Sequence, residues 1–166
     1  DWKAERDLFE AVAPFYLRNV DITDGAEPER VPALRTDEAY FAALGSSPLL
    51  GRFLTAQDNL PNAPRVVILS HRLWARRFGS DPHIVGMPIE LYSVPATVIG
   101  VTRPDTIWPS DVELIRPLGL GGQPDAAIMR RDNHAFMAVA RLRPGVSVEQ
   151  AQAKLTVMAT AIAERD

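Results

Sequence analysis

The chain of 166 residues contains no cysteine. That removes disulfides, thiolate nucleophiles and cysteine-built zinc sites together, leaves packing to hold the fold, and leaves the redox compartment undetermined. Histidine is scarce as well. His71, His83 and His134 fall in separate segments with no His-x-x-x-His pair, so no metal centre is expected. No stretch approaches the ~20 consecutive apolar residues of a membrane helix, and no basic-then-apolar leader opens the chain. An excess of one charge is also missing: 18 Lys and Arg stand against 21 Asp and Glu, a formal net charge of −3. Nucleic acid is therefore not an expected partner.

What is present is ordinary for a folded protein. Hydrophobic residues make up 46% and charged residues 23%, which separates the chain from disordered sequences. Its length suits one domain or two small lobes with modest cores. The first residue is Asp1, and the last helix-like segment runs to Asp166 without a closing loop. The sequence therefore reads as a piece of something longer.

Along the chain, Trp2, Glu5, Phe9 and Val12 are spaced for a short amphipathic helix over residues 1–13 that ends at Pro14. Residues 15–23 are aromatic and β-branched and predict a strand, stopped at Asp24-Gly25. Residues 30–35 predict a second strand, which Pro32 pushes to an edge or makes irregular. Thr36 is placed to cap a helix through Leu44, with Gly45 as its left-handed stop. Residues 46–64, broken by Pro48, Gly51, Pro61 and Pro64, predict an irregular connector. A buried strand over 65–69 then leads into a helix that Ser70 starts and Gly79 ends. Residues 83–92 and 95–102 predict a hairpin around Ser93-Val94. The glycine-rich residues 119–125 predict a mobile surface loop. Residues 134–142 are apolar on both alternating faces and predict a central strand. Ser147 and Gln150 form a capping box for a final helix whose inner face would carry Val148, Ala151, Leu155, Met158 and Ile162.

Candidate chemistry is thin. Ser70 stands between a strand and a helix, where an activated serine would also sit, but its neighbours Ile68, Leu69, His71 and Arg72 lack the glycines of a nucleophile elbow. His71 is adjacent in the helix and does not face Ser70 as a base must. Ser70 is thus expected to cap. Arg72, Arg76 and Arg77 cluster on one helix and could meet phosphate or lipid headgroups, although a solvated face is the simpler account. Trp74 and Phe78, four apart, are expected to anchor that helix onto a sheet. The run GLGGQP does not pass from a strand into a helix and lacks the Lys-Ser/Thr of a phosphate loop. No catalytic, metal or cofactor-binding residue is assigned, and an enzyme is not expected.

The order of segments is more specific than any one residue. Leu44-Gly45, Gly51-Arg52-Phe53, Leu69-Ser70 through Trp74, Arg77-Phe78-Gly79, Asp81-Pro82 with Val85-Gly86, Val98-Ile99-Gly100-Val101 and Leu142-Arg143-Pro144-Gly145-Val146 follow one another over nearly the whole chain. In that order they resemble the MacB-like periplasmic core domain of bacterial ABC-transporter permeases, in particular the orphan permeases related to FtsX and MacB. Two local departures are Tyr92-Ser93-Val94-Pro95 in place of an Asn-Gly-like turn, and Leu114-Ile115-Arg116 before Pro117-Leu118.

The resemblance implies an α+β domain of two lobes on the periplasmic side of the inner membrane, in a protein that as a whole spans the membrane. Residues 1–44 with 132–166 would form a discontinuous membrane-proximal lobe. Residues 45–131 would form an inserted, β-rich lobe with one helix. It further implies a role in coupling ATP hydrolysis by a cytoplasmic ABC ATPase to movement outside the membrane. A second permease copy or related permease domain, and an envelope protein or substrate, would be the partners. Trp108, Phe53, Arg72 and Arg76 are the residues put forward as a partner or ligand surface. The competing expectation is a ligand-binding sensor domain with a pocket near Trp108 and Phe53.

Overall fold

The segment after Asp7 is a strand rather than the helix its spacing predicts. The structure, a computed structural model, describes residues 7–25, 27–119 and 136–163; the first half of the expected helix lies outside these. Strand β1 spans Phe9–Leu17. Ala13 and Phe15 are fully buried on one of its faces, while Val12 and Tyr16 pack on the other. A helix ending at Pro14 would bury a single stripe, whereas a strand with neighbours and cover on both sides buries both sets of side chains.

Nine further strands follow: β2 (Val20–Ile22), β3 (Glu29–Val31), β4 (Ala33–Thr36), β5 (Pro48–Gly51), β6 (Val66–Leu69), β7 (Pro88–Leu91), β8 (Val94–Thr102), β9 (Leu114–Pro117) and β10 (Met137–Leu142). They form one mixed sheet in the order β10-β1-β4-β9-β6-β8-β7-β2-β3, with β5 paired to β8 off this path. Among the described residues three α-helices complete the α+β fold: α1 (Ala39–Leu44), α2 (His71–Phe78) and α3 (Val148–Ala163).

The pleat sorts the core into layers. Leu34, Ile68, Ile115 and Phe15 point to the face covered by α1, with Tyr40 and Phe41 buried against them. Ala33, Val67, Leu69 and Leu114 point to the opposite face, where Leu73 of α2 is fully buried and Trp74 and Phe78 pack beside it. Val20, Ile22 and Val31 of β2 and β3 belong to this same cluster. At the other end of the sheet, Ala151 and Leu155 of α3 pack on Val12 and Leu142. Val12 shares its face with Tyr16, and Tyr16 pairs with Arg35, a neighbour of Ala33 on that face of β4. Hence α2 and α3 cover the two ends of one face.

Several expectations change in detail. The chain around Pro32 is a strand broken in two: β3 lies at the sheet edge, but β4 is interior between β1 and β9. Pro32 contributes its carbonyl, which accepts from Glu113 N at 2.9 Å. Thr36 ends β4 and does not cap α1; its hydroxyl donates to the Pro14 carbonyl at 2.8 Å. The helix begins instead at Ala39, whose N–H donates to the Asp37 carboxylate at 3.1 Å, and stops at Gly45 with φ 67° as expected. The expected connector over 46–64 contains β5 and a 3-10 turn, Ala56–Asn59.

Among the described residues strand β10 is an edge strand, not a central one, because it pairs there with β1 alone. Its two apolar faces record helices above and below it: Val139 packs toward α1 and Leu142 toward α3. Apolarity on both faces reports cover, not neighbours in the plane of the sheet. The α3 capping box forms, with Ser147 N donating to Gln150 Oε1 at 2.9 Å and Gln150 N to Ser147 Oγ at 3.2 Å. Val148, expected inward, is 65% exposed. The loop expected over 119–125 lies, beyond Gly119, outside the described residues.

The β7–β8 hairpin turns through Tyr92 and Ser93, both left-handed at φ 52° and 61°. This is the conformation of a tight two-residue turn, reached without glycine or asparagine. Tyr92 is held there by its hydroxyl, which donates to the Asn19 carbonyl at 2.8 Å.

Candidate functional site

Ser70 caps α2. Its Oγ accepts from Leu73 N at 3.0 Å, its own N–H donates to the Glu113 carbonyl at 2.9 Å, and the residue is buried. The His71 ring instead packs edge-on against Trp74, 5.5 Å between centroids. The hydroxyl is committed to the helix start, and among the described residues no base is aimed at it, so Ser70 serves as a helix cap. Ser70→Ala should therefore lower unfolding free energy by about 1 kcal/mol; denaturant titration of the two proteins checks it, and a loss within error of zero would remove the cap from the account. Among the described residues no group of three or more His, Asp or Glu converges as metal ligands.

The arginines of α2 do not form a merely solvated face. Arg72 Nε donates to Glu113 Oε1 at 2.8 Å and its Nη2 to the Asp111 carbonyl at 2.8 Å. Arg76 donates to Glu113 Oε2 at 2.7 Å and also meets Glu29. Arg77 donates to Glu29 at 2.9 Å and contacts Asp24. Because Glu113 precedes β9 and Glu29 opens β3, these pairs tie one helix to two distant strands. Burial pushes the Glu29 carboxyl up, but the hydrogen bonds from Arg76 and Arg77 outweigh it and hold the group below the usual glutamate range.

A second clamp links β5 to the 3-10 turn. Arg52 donates to Asp58 through both terminal nitrogens, at 2.7 and 3.0 Å, and Thr55 N donates to the same carboxylate at 2.7 Å. Arg52 and, after it, the Thr55 N–H and hydroxyl hold Asp58 below its ordinary value against the opposing effect of burial. Folded-state values depressed below 3.8 for Asp58 and 4.5 for Glu29 contribute stability that is complete above those values and drains as pH falls through the folded ones. Thermal unfolding between pH 7 and pH 3 should show a steeper acid loss for the parent than for Asp58→Asn, and parallel curves would exclude this contribution.

Phe53 and Trp108 lie at opposite ends of one aromatic chain. Phe53 stacks on Phe41 at 3.5 Å and 9°. Phe41 meets Tyr40 edge-on, Tyr40 meets Phe15, and Phe15 meets Trp108 at 5.8 Å. The Tyr40 hydroxyl donates to the Trp108 carbonyl at 2.5 Å. Burial pushes that phenol up to about 12, so it remains a donor across physiological pH. Phe53 is thus packed into the α1 layer, while Trp108 leaves 54% of its surface exposed.

Sequence reasoning missed a different cluster. Arg35 and Arg116 are direct partners in the parallel β4–β9 register, with Tyr16 in the same row on β1. Together with Arg65, which precedes β6, they line two cavities of about 370 and 220 Å³; Arg18 and Tyr92 complete the smaller one. Arg35 lies over the Tyr16 ring at 6.0 Å. No salt bridge or side-chain hydrogen bond holds Arg18, Arg35, Arg65 or Arg116 among the described residues. Burial, then the charges of Arg35 and Arg65, pull the Arg116 guanidinium down to about 10. The four arginines are scattered over the sequence, so no local motif announces them.

No helix among the described residues is long and apolar enough to cross a membrane. The family model for the MacB-like periplasmic core domain matches residues 1–157. The periplasmic region of MacB from Actinobacillus actinomycetemcomitans superposes with a TM-score of 0.72 at 17% identity, covering 97% of this chain and 71% of that one. The extracellular domain of the noncanonic ABC-type transporter YknZ from Gram-positive bacteria gives 0.61 at 16% identity, covering 87% and 70%. Those two speak for the fold, and no curated protein matches the sequence. The family match, running through the same ordered motifs that carry the resemblance, establishes that the chain belongs to the MacB-like periplasmic core domain family, the periplasmic domain of ABC-transporter permeases.

Proposed function

We propose that this domain acts mechanically, passing movement driven by a cytoplasmic ABC ATPase to a second permease copy or related permease domain, and through it to a substrate or envelope partner. The supporting observation is the continuous sheet from β10 to β3, braced by the Glu29 and Glu113 ion pairs of α2. A plate tied together in this way moves as a lever rather than deforming locally. The full-length protein, in this reading, spans the inner membrane, and the domain does no chemistry of its own.

The two-lobe division belongs to the same proposal. Residues 1–44 with 132–166 would be the membrane-proximal part and residues 45–131 the part that reaches partners. They meet at the β4–β9 pair, where Ala33 to Thr36 run parallel to Leu114 to Pro117, and again where Ile22 of β2 pairs with Leu91 of β7. Trp108, with its exposed indole, is the foremost candidate contact. Phe53, Arg72 and Arg76 would contribute only as far as their internal packing and ion pairs allow.

This chain contains no cysteine, so a label placed in it has no competing site within the domain. Spin labels at Cys substituted for exposed Asn62 and Glu10 in the full-length permease, reconstituted with its ATPase, would report distances within and between copies. ATP binding should change the distances between copies while leaving those within the domain nearly fixed. Distances between copies that ignore ATP would overturn the lever. The sensor reading draws on one observation, the arginine-lined cavities.

A further inference from the structure

The face of the sheet shared by α2 and α3 is apolar where each helix covers it. Between them the pattern breaks: on β4 and β9 the residues that continue the rows of Ala33 and Leu114 are Arg35 and Arg116. Like charges directly opposite on neighbouring strands repel, and a charge half removed from water without a partner costs free energy. Arg65 and Arg18 stand at the rim and add to the same sign. One carboxylate, Asp58, lines the larger cavity among the described residues, and it is already taken by both terminal nitrogens of Arg52.

An arginine placed only to keep a surface soluble would point into water or pair with an acid, as the α2 arginines do. Here Arg35 and Arg116, half-buried side by side, line both cavities together with the exposed Arg65, so the two chambers adjoin across these residues. Planar guanidinium forks bind phosphate oxygens in pairs. The positive charge already assembled means that an incoming multivalent anion gains attraction without first having to order a flexible site. The Tyr16 ring lies beside Arg35 and Tyr92 lines the smaller cavity, and among the described residues no carboxylate other than Asp58 lines either cavity.

We propose that Arg35, Arg65 and Arg116, with Arg18 at the rim, form a binding site for a multivalent phosphate-class anion of about pyrophosphate size, either free or carried as the headgroup of an anionic lipid. The site stands independently of the coupling role proposed above, since a domain could bind such an anion whether or not it moves with ATP.

The probes are inorganic pyrophosphate, and vesicles of cardiolipin, an anionic lipid whose headgroup carries two phosphates, in phosphatidylcholine. At constant ionic strength, pyrophosphate at 100 times its Kd should raise the melting temperature by about 5 °C or more. Arg116→Gln should melt no lower than the parent without ligand, because it relieves the Arg35 contact, and should weaken pyrophosphate binding at least tenfold in calorimetry. Arg65→Gln, at an exposed position before β6, repeats the affinity test should Arg116→Gln fail to fold. Arg30→Gln, on a strand outside the cavities, should bind as the parent does. Sedimentation with the anionic vesicles, blocked by pyrophosphate and lost in Arg116→Gln, would assign the headgroup source; pyrophosphate binding without sedimentation would assign the free anion. Stabilisation no greater than matched sodium chloride gives, with no vesicle binding, overturns the site, as does equal affinity in parent, Arg116→Gln and Arg65→Gln.

Discussion

Gly100→Ala should lower the melting temperature by about 6 to 12 °C, the consequence of losing ~3 kcal/mol in a chain of this length. Gly100 pairs with Gly51 where β5 crosses close to β8. A Cβ at Gly100 would stand 2.2 Å from the Arg52 carbonyl oxygen, and one at Gly51 would stand 2.1 Å from the Ile99 carbonyl oxygen. Both obstacles are backbone, so no side-chain rotation clears them. β5 must shift, and the Arg52 N–H to Ile99 carbonyl bond of 2.9 Å shifts with it. Gly79 provides the comparison: it is left-handed at φ 59° but has nothing within 4 Å of an added Cβ. Gly79→Ala should cost only the backbone strain, about 1 to 2 kcal/mol. Equal losses in the two variants would mean that close approach is not what Gly100 serves.

Glu113→Ala should be nearly as damaging, with a loss of about 2 to 3 kcal/mol, since one buried carboxylate accepts two charge-assisted hydrogen bonds. Its side chain is 8% exposed, against 56% and 47% for Arg72 and Arg76, so the acceptor and not the donors sits in the low-dielectric position. The arginines, once released, recover water; this keeps the loss below that of a fully buried pair. Either arginine alone, changed to alanine, should cost less than Glu113→Ala because the other still occupies the carboxylate. Thermal melts of the three variants beside Arg30→Ala, whose partner Asp21 is 3.8 Å away in an exposed pair, give the scale. A Glu113→Ala effect no larger than that of Arg30→Ala would reduce the clamp to surface decoration.

The parts of the fold legible in the sequence were those fixed by local backbone chemistry. Ser70 and Gly79 bracket α2 because a hydroxyl acceptor and a left-handed stop act within a few residues, and Gly45 and the Ser147–Gln150 box work in the same way. Trp74 and Phe78 were legible as anchors because helical spacing brings them to one side of α2. Long-range pairing was not. The spacing of Phe9 and Val12 fits a helix as well as a strand, and only β4 and β10 on either side of β1 decide between them. The edge position of β10 was hidden because helices on both faces give it the composition of an interior strand. The arginine cluster is the extreme case: Arg35 and Arg116 become neighbours through strand pairing alone, and nothing in the residues around either one marks it as half of a site.

The pairing of β1 with β10 also sets an order of events. Phe15 has Thr36 of β4 beside it soon after it is made, but Met137 on its other side and Leu142 against Phe9 arrive only after the whole of residues 37–136. Until then one whole flank of β1 presents unpaired amides and carbonyls, the kind of strand edge that other chains can join. Closure of this sheet therefore waits on the long stretch of chain between β4 and β10. A product cut short before residue 137 would keep the α2 core and the hairpin yet carry an open β1 flank, and it should meet its fate as an aggregate or a proteolysis substrate rather than as a smaller version of the domain.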